Sequence, residues 1–285
     1  MKVLYIAEIV GKAGVYALKK CLPELKQQYP YDFLIACADG ATGGNGLGRN
    51  HAVYLHKLGV RVITTGECCY YKKDLTENFE KMPYVLRPDN LNPDAPGFGS
   101  RIYKVSADNS AGEKVAVAVL LGQSGFGRLH SNSPYTHLPV LLERLRQETP
   151  YIIIDFHAQA SAEKKTLFYA ADGRCSAVVG SHTRVQTADE GILAGGTAVI
   201  SDAGRTGSAE SVGGNEIASR IQEYLSNIPD WTKDSWEKPA LQGVYIDIDS
   251  EGKSRSIKRI TVKVPEPARA EAEEEIPDSE NSEKG

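Results

Sequence analysis

This 285-residue sequence predicts an α/β fold whose central strands are covered on both faces. Three observations carry that expectation. Short β-branched runs recur along the chain with helix-like patterns between many of them, which is the alternation that builds α/β architectures. Several runs, FLIACA at 33–38 among them, are apolar at successive positions and so belong inside the protein. A residue with acid, amide or imidazole chemistry follows each of the first six runs.

Taken in order, the strands are expected at 3–7, 33–38, 61–65, 115–121, 151–156, 177–180, 197–201, 244–248 and 257–264. Helices are expected at 15–28, 50–58, 136–148 and 216–226. Asn50 and Thr136 suit helix N-caps, because their side chains accept hydrogen bonds from the first free backbone N–H groups. Pro23 lies inside the first helical pattern and, lacking an N–H, should kink or divide it. Residues 249–256 read as a hairpin loop joining the last two strands.

Composition is that of a soluble globular protein, 41% hydrophobic and 25% charged. Charge is uneven. Residues 264–285 hold eight acids against Arg269 and Lys284, a net of -6, while the other 263 residues carry 31 basic and 29 acidic groups. The body therefore offers no basic field for duplex nucleic acid. The tail has almost no large apolar side chains and is expected to be disordered, leaving one domain at 1–263 and an acidic tail at 264–285. The cysteines, Cys21, Cys37, Cys68, Cys69 and Cys175, are odd in number and lack CxxC spacing. This argues against a disulfide framework or zinc ribbon and for a reducing, cytoplasmic setting. The N-terminal apolar run is strand-length and broken by Glu8, so it is not read as a signal peptide. No stretch approaches the ~20 apolar residues of a membrane helix.

The strand ends carry the chemistry: Glu8, Asp39, Glu67, Gln123, His157 and His182, in that order. In open α/β sheets the carboxyl ends of strands form the ligand crevice, and carboxylates with imidazoles suit a hard or borderline divalent metal. One such residue alone is usually a cap or turn; six in succession point to a site. His51, His56, His130 and His137 sit on a helical pattern or beside a Ser/Asn/Pro loop and are not assigned to it. The glycine-rich segment GATGGNGLG at 40–48 fails as a dinucleotide fingerprint, because Arg49 stands where the third glycine belongs.

Longer segments carry a resemblance. YIIIDFHAQASAEK, DGRCSAVVGSHTRVQTADEGIL and GTAVISDAGRTG, with AEIVGKAG, GGNGLG and RPDNLNP before them, resemble the YmdB-like branch of the calcineurin-like metallophosphoesterases. The likeness spans about residues 1–263. It implies a metallophosphoesterase-type α/β/β/α sandwich with mixed sheets flanked by helices, and hydrolysis of phosphodiesters such as 2′,3′-cyclic nucleotides at a pair of metal ions.

The site transfers in part. The family's aspartate in GDIVG is here Glu8, its GEN is Ala38-Asp39-Gly40, and its GNH is Gly66-Glu67-Cys68. His157 matches a metal-binding histidine. In the family's GTHTH the first histidine is His182 and the second is Arg184. The implied metal ligands are thus His157, His182, Asp39 and Glu67, with Glu8 a weaker candidate. Cys68 stands at the catalytic histidine's position, and Arg184 and Gly66 are assigned to ligand binding. A guanidinium cannot ligate a metal and stays protonated, so Arg184 is expected to replace one cation by pairing with Glu8 and Asp39. That leaves one divalent metal, iron or manganese, with catalysis weakened or lost and phosphoryl-ligand binding or protein interaction retained. The alternative is an active phosphodiesterase with an altered, mononuclear site.

A phosphodiester or nucleotide ligand, a protein partner and a homo-oligomer are all compatible with this reading; a membrane is not expected. Cys68 and Cys69 invite a redox role but suit simple burial better. Tyr70 and Tyr71 are expected to pack rather than stack on a base. Lys72 and Lys73 could steer an anion or be solvated.

Overall fold

The computed structural model describes residues 1–105, 112–229 and 233–265. Its elements in chain order are β1 (Lys2–Ile6), β2 (Glu8–Ile9), α1 (Gly11–Gln28), β3 (Phe33–Cys37), α2 (Arg49–Lys57), β4 (Val62–Thr64), α3 (Lys73–Thr76), β5 (Val85–Leu86), β6 (Ser100–Lys104) and β7 (Lys114–Leu121). There follow α4 (Pro134–Arg146), β8 (Ile152–His157), α5 (Ser161–Ala171), β9 (Ala177–Ser181), β10 (Gly191–Ile192), β11 (Ala198–Ile200), β12 (Arg205–Ser208), α6 (Ile217–Ser226), β13 (Pro239–Ile248) and β14 (Ser254–Lys263).

Period-two alternation with both faces apolar explains the layering. In β1, Val3 and Tyr5 point into a core shared with Val117 and Ile153 of the other sheet. Leu4 and Ile6 point the opposite way, against Val15 and Leu18 of α1 and Leu55 of α2. In β8, Ile154 and Phe156 pack under Leu138 and Leu142 of α4 and Leu167 and Phe168 of α5. Complete burial of a side chain such as Phe156 contributes about 1.5–3 kcal/mol. The result is the expected α/β/β/α sandwich. One sheet runs β2-β12-β13-β1-β3-β4-β5 with β14 paired to β13, and the other runs β10-β11-β9-β8-β7-β6. Parallel pairs join β1, β3, β4 and β5 in the first sheet and β7, β8, β9 and β11 in the second, so their carboxyl ends open on one side of each sheet.

Local expectations fail where packing overrides them. Helix α1 begins at Gly11 and continues through Pro23, because Leu22 and Leu25 on either side of the proline are both seated on the sheet. The N-caps are Gly48 and Ser133, not Asn50 and Thr136, and neither makes a side-chain capping bond. Pro134 takes the first turn of α4, where its missing N–H costs nothing. Helix α5 was not expected: its pattern is weakly amphipathic, and it buries a lysine. Strand β12, RTGS, lacks an apolar signature and is recruited by pairing with β2 and β13. The last hairpin forms as expected but with longer strands and a turn closed from Asp249 N–H to Lys253 O at 2.8 Å. Val264 is still buried, and its N–H bonds Pro239 O. The acidic tail from residue 266 onward lies outside the described residues. Among the described residues no helix is long and apolar enough to cross a membrane.

Candidate functional site

Five of the six strand-end residues converge. Asp39, Glu67 and His182 follow the carboxyl ends of β3, β4 and β9, His157 closes β8, and Glu8 opens β2 directly after β1. Gln123 does not join them. Its side chain is exposed, and its backbone N–H donates to Glu163 Oε1 at 2.6 Å.

Glu67 bridges the two imidazoles. One oxygen contacts His157 Nε2, and the other lies 3.1 Å from His182 Nδ1. His157 is fully buried, with Nδ1 2.9 Å from Ser181 Oγ. Ser181 in turn donates to Asp155 Oδ1 at 2.6 Å, so its oxygen must accept from His157 Nδ1–H. Asp155 is held by the hydroxyls of Tyr5 and Thr64. This chain leaves Nε2 as the nitrogen that exchanges a proton for a cation, the arrangement that orients metal-ligating histidines. Burial opposes charge on His157, but the Glu67 carboxylate overrides it and lifts the imidazole to about 10. Glu67 is pulled well below the carboxylate range by the same partner, against the effect of burial. Phe126 covers both rings, stacked on His157 at 6.0 Å between centroids and edge-on to His182 at 4.9 Å.

Asp39 lies beside this group, its Oδ2 3.7 Å from His157 Nε2. Its oxygens accept the N–H groups of Gly66 at 2.6 Å and Cys68 at 3.1 Å. Burial, with the Glu67 charge behind it, raises Asp39 to about 8. The Gly66 amide is therefore committed to Asp39. The absence of a side chain at Gly66 makes room for the His157 ring, which a Cβ would strike.

The second half of the site is built differently. Arg184 donates from Nε to Glu8 Oε1 at 2.9 Å, with Nη2 2.8 Å from the same oxygen. Nη1 and Nη2 also donate to the carbonyls of Gly213 and Gly44, each at 2.9 Å. The Gly44 carbonyl is presented by a loop residue at φ 74°, a conformation glycine adopts without strain. A Cβ on Gly40 would lie 2.7 Å from Arg184 Nη2 and 3.1 Å from Glu8 Oε1. Gly40 thus leaves the space that the guanidinium fills. The expected pairing of Arg184 with Asp39 is not formed among the described contacts: Arg184 pairs with Glu8, while the Asp39 oxygens accept the amides of Gly66 and Cys68. Glu8 Oε2 is buried without a partner among the described residues, an acceptor that an ordered water would satisfy.

Glu67, His157 and His182 each offer a ligand atom within 4.8 Å of the others, and Asp39, Glu67 and Cys68 form an overlapping group. Two imidazoles and a carboxylate fit one borderline divalent ion. At Glu8 the Arg184 guanidinium already seats a permanent positive charge.

Cys68 and Cys69 are buried, unpaired thiols. Burial and the neighbouring carboxylates Asp39, Glu67 and Glu8 push Cys68 far up, and burial and Asp39 do the same to Cys69. A reactive cysteine needs the opposite shift, so neither redox chemistry nor proton donation by Cys68 is favoured. Tyr70 packs edge-on to Phe79, whereas Tyr71 is exposed beneath Arg128. His51, His56 and His137 are engaged by Thr42, Tyr84 and Asp89, and His130 is exposed.

Three contributors escaped the sequence reading. Asp155 could have been found as the lone acid within the apolar run YIIIDF. Lys164 and Asp202 carry no such signal. The Lys164 ammonium, buried, donates to Ser181 O at 2.9 Å and to Asp202 Oδ2 at 3.0 Å, and the same oxygen accepts from the Thr183 amide and hydroxyl. That pair anchors the turn in which His182 and Arg184 adopt φ of 95° and 60°.

Comparison with known proteins places the chain in a family. The family model described as YmdB-like protein matches residues 4–260. The chain is 36% identical over 263 residues to a Bacillus subtilis protein named 2′,3′-cyclic-nucleotide 2′-phosphodiesterase, covering 92% of this chain and 97% of that one. The crystal structure of a phosphatase from Mycoplasma pneumoniae superposes with a TM-score of 0.86 at 27% identity, covering 95% and 96% of the two chains. A 5′-nucleotidase precursor from Thermus thermophilus shares the fold alone, with a TM-score of 0.56 at 12% identity over 96% of this chain and 57% of that one.

Proposed function

The chain is a member of the YmdB-like family of phosphodiesterases and phosphatases, and from that premise we propose that it binds one divalent cation and a nucleotide-class phosphodiester, with hydrolysis strongly weakened. Glu67, His157 and His182 would hold the cation, iron or manganese, with Asp39 beside them. A bound cation supplies Lewis-acid polarisation of a phosphoryl oxygen. The observation that carries the proposal is the Arg184 guanidinium seated on Glu8 in the space beside Gly40.

The residues of this chain account for the weakening. Arg184 keeps a positive charge in the second half of the site, but it cannot activate a water as a metal does. Burial and the neighbouring carboxylates push the Cys68 thiol far up, away from the near-neutral range that suits a general acid. A positioned general acid is worth ~10²–10⁴-fold, so its loss alone slows turnover by that order. His157 and Glu67 orient and hold; neither is placed to replace that acid.

Metal analysis of protein purified without chelator tests the reading. One equivalent of iron or manganese is expected in the natural chain, and two in the double variant Arg184→His, Gly40→Asn. With 2′,3′-cyclic AMP and a nitrophenyl phosphodiester as substrates, adding Cys68→His to that variant should raise turnover by ~10²–10⁴-fold. Two equivalents in the natural protein would sink the proposal. Sustained hydrolysis at one equivalent would instead establish an active mononuclear phosphodiesterase.

A further inference from the structure

A recess is lined in part by Arg184 and the two residues that follow it. It has a volume of about 470 Å³, and its lining includes Arg184, Arg205, Gln186, Ser211, Gly213 and Gln242, with no carboxylate among the lining residues. Arg184 has its carboxylate, Glu8. Arg205 has none among the described contacts; its guanidinium donates from Nη2 to Ser208 O at 2.8 Å. Two guanidiniums therefore share one partly buried recess with a single carboxylate between them. Burial and the charge of Arg184 both act against the positive charge of Arg205, which is the penalty that an incoming anion relieves. A guanidinium fork also matches phosphate oxygens in pairs.

We propose that this recess is an anion subsite for a phosphomonoester-class group, with Arg205 as its principal contact and Arg184 as the wall it shares with the arginine half of the candidate site. The subsite needs no cation, so it stands independently of the single-metal reading. Within that reading, it would take a terminal phosphate of the ligand or the phosphomonoester released from a diester.

The test is calorimetric titration of chelator-treated, full-length protein with inorganic phosphate at low ionic strength, with chloride matched throughout. Saturable 1:1 binding is expected. Arg205→Gln should weaken it at least 10-fold, and Arg205→Lys should weaken it less, because charge is retained while the fork is lost. Arg205→Lys also covers the case in which Arg205→Gln fails to fold because the shorter amide does not reach Ser208 O. Metal content of the Arg205 variants should match the natural protein, which separates failure of this subsite from failure of the metal reading. Equal phosphate affinity in the natural protein and a folded Arg205 variant would overturn the proposal, as would the absence of saturable binding by the natural protein.

Discussion

The two halves of the candidate site use the same ingredients, a carboxylate facing a nitrogen base, and reach opposite results. In the histidine half, Glu67 sits between His157 and His182, and Ser181 and Asp155 steady the buried ring from behind. In the arginine half, Glu8 faces Arg184, which is steadied by the carbonyls of Gly44 and Gly213. An imidazole can surrender its proton to a metal; a guanidinium cannot. One half is thus open to a cation, and the other carries its own. The difference teaches that a carboxylate at such a site can be matched either by groups able to give up a proton to a metal or by a side chain with a permanent charge.

The largest effect that would break this comparison is expected from Glu8→Gln. It leaves the Arg184 charge without its partner in a protected site, and removing one member of a buried pair costs about 3–5 kcal/mol. Denaturant unfolding should show that loss, whereas Glu67→Gln should cost less, because a neighbouring imidazole can discard its proton. Equal losses would mean that the two halves are electrostatically alike. Gly40→Ala comes next. Its Cβ would press on Arg184 Nη2 at 2.7 Å, and overpacking of this kind costs about 1–3 kcal/mol; a variant as stable as the natural chain would show that the guanidinium has room to spare. The smallest effect is expected from Ser181→Ala, which removes the acceptor of His157 Nδ1–H. Loss of such an outer partner lowers metal affinity ~10–100-fold, measurable by competition with a chelating dye, and an unchanged affinity would show that the Ser181–Asp155 relay does not orient the ring.

Legibility varied with how local the cause was. Asp39, Glu67, His157 and His182 were readable because each follows a strongly apolar strand, and the ends of parallel strands meet. Gln123 has the same signature, yet its backbone is drawn to Glu163 on α5, a helix with no clear pattern in the sequence. Arg184 could be recognised as incompatible with a metal from chemistry alone, and was expected to pair with both Glu8 and Asp39. Only the Glu8 pair is formed among the described contacts, and Asp39 instead accepts the amides of Gly66 and Cys68. Gly40 read only as a lost amide and the start of a glycine-rich segment; its value lies in the space it leaves for a side chain 144 positions away in the sequence.

Strand periodicity and residue type were enough to predict the layered α/β architecture and a permanent cation among would-be metal ligands, and the likeness of whole segments to known sequences pointed to the family. The first two follow from solvent partition and intrinsic proton affinity, which each residue carries wherever it sits. Which carboxylate meets which cation, which His157 nitrogen is free, and whether two arginines share a recess depended on the packed chain. Those outcomes turn on separations of a few ångströms between segments far apart in sequence, and only the stacking of one sheet on the other sets them.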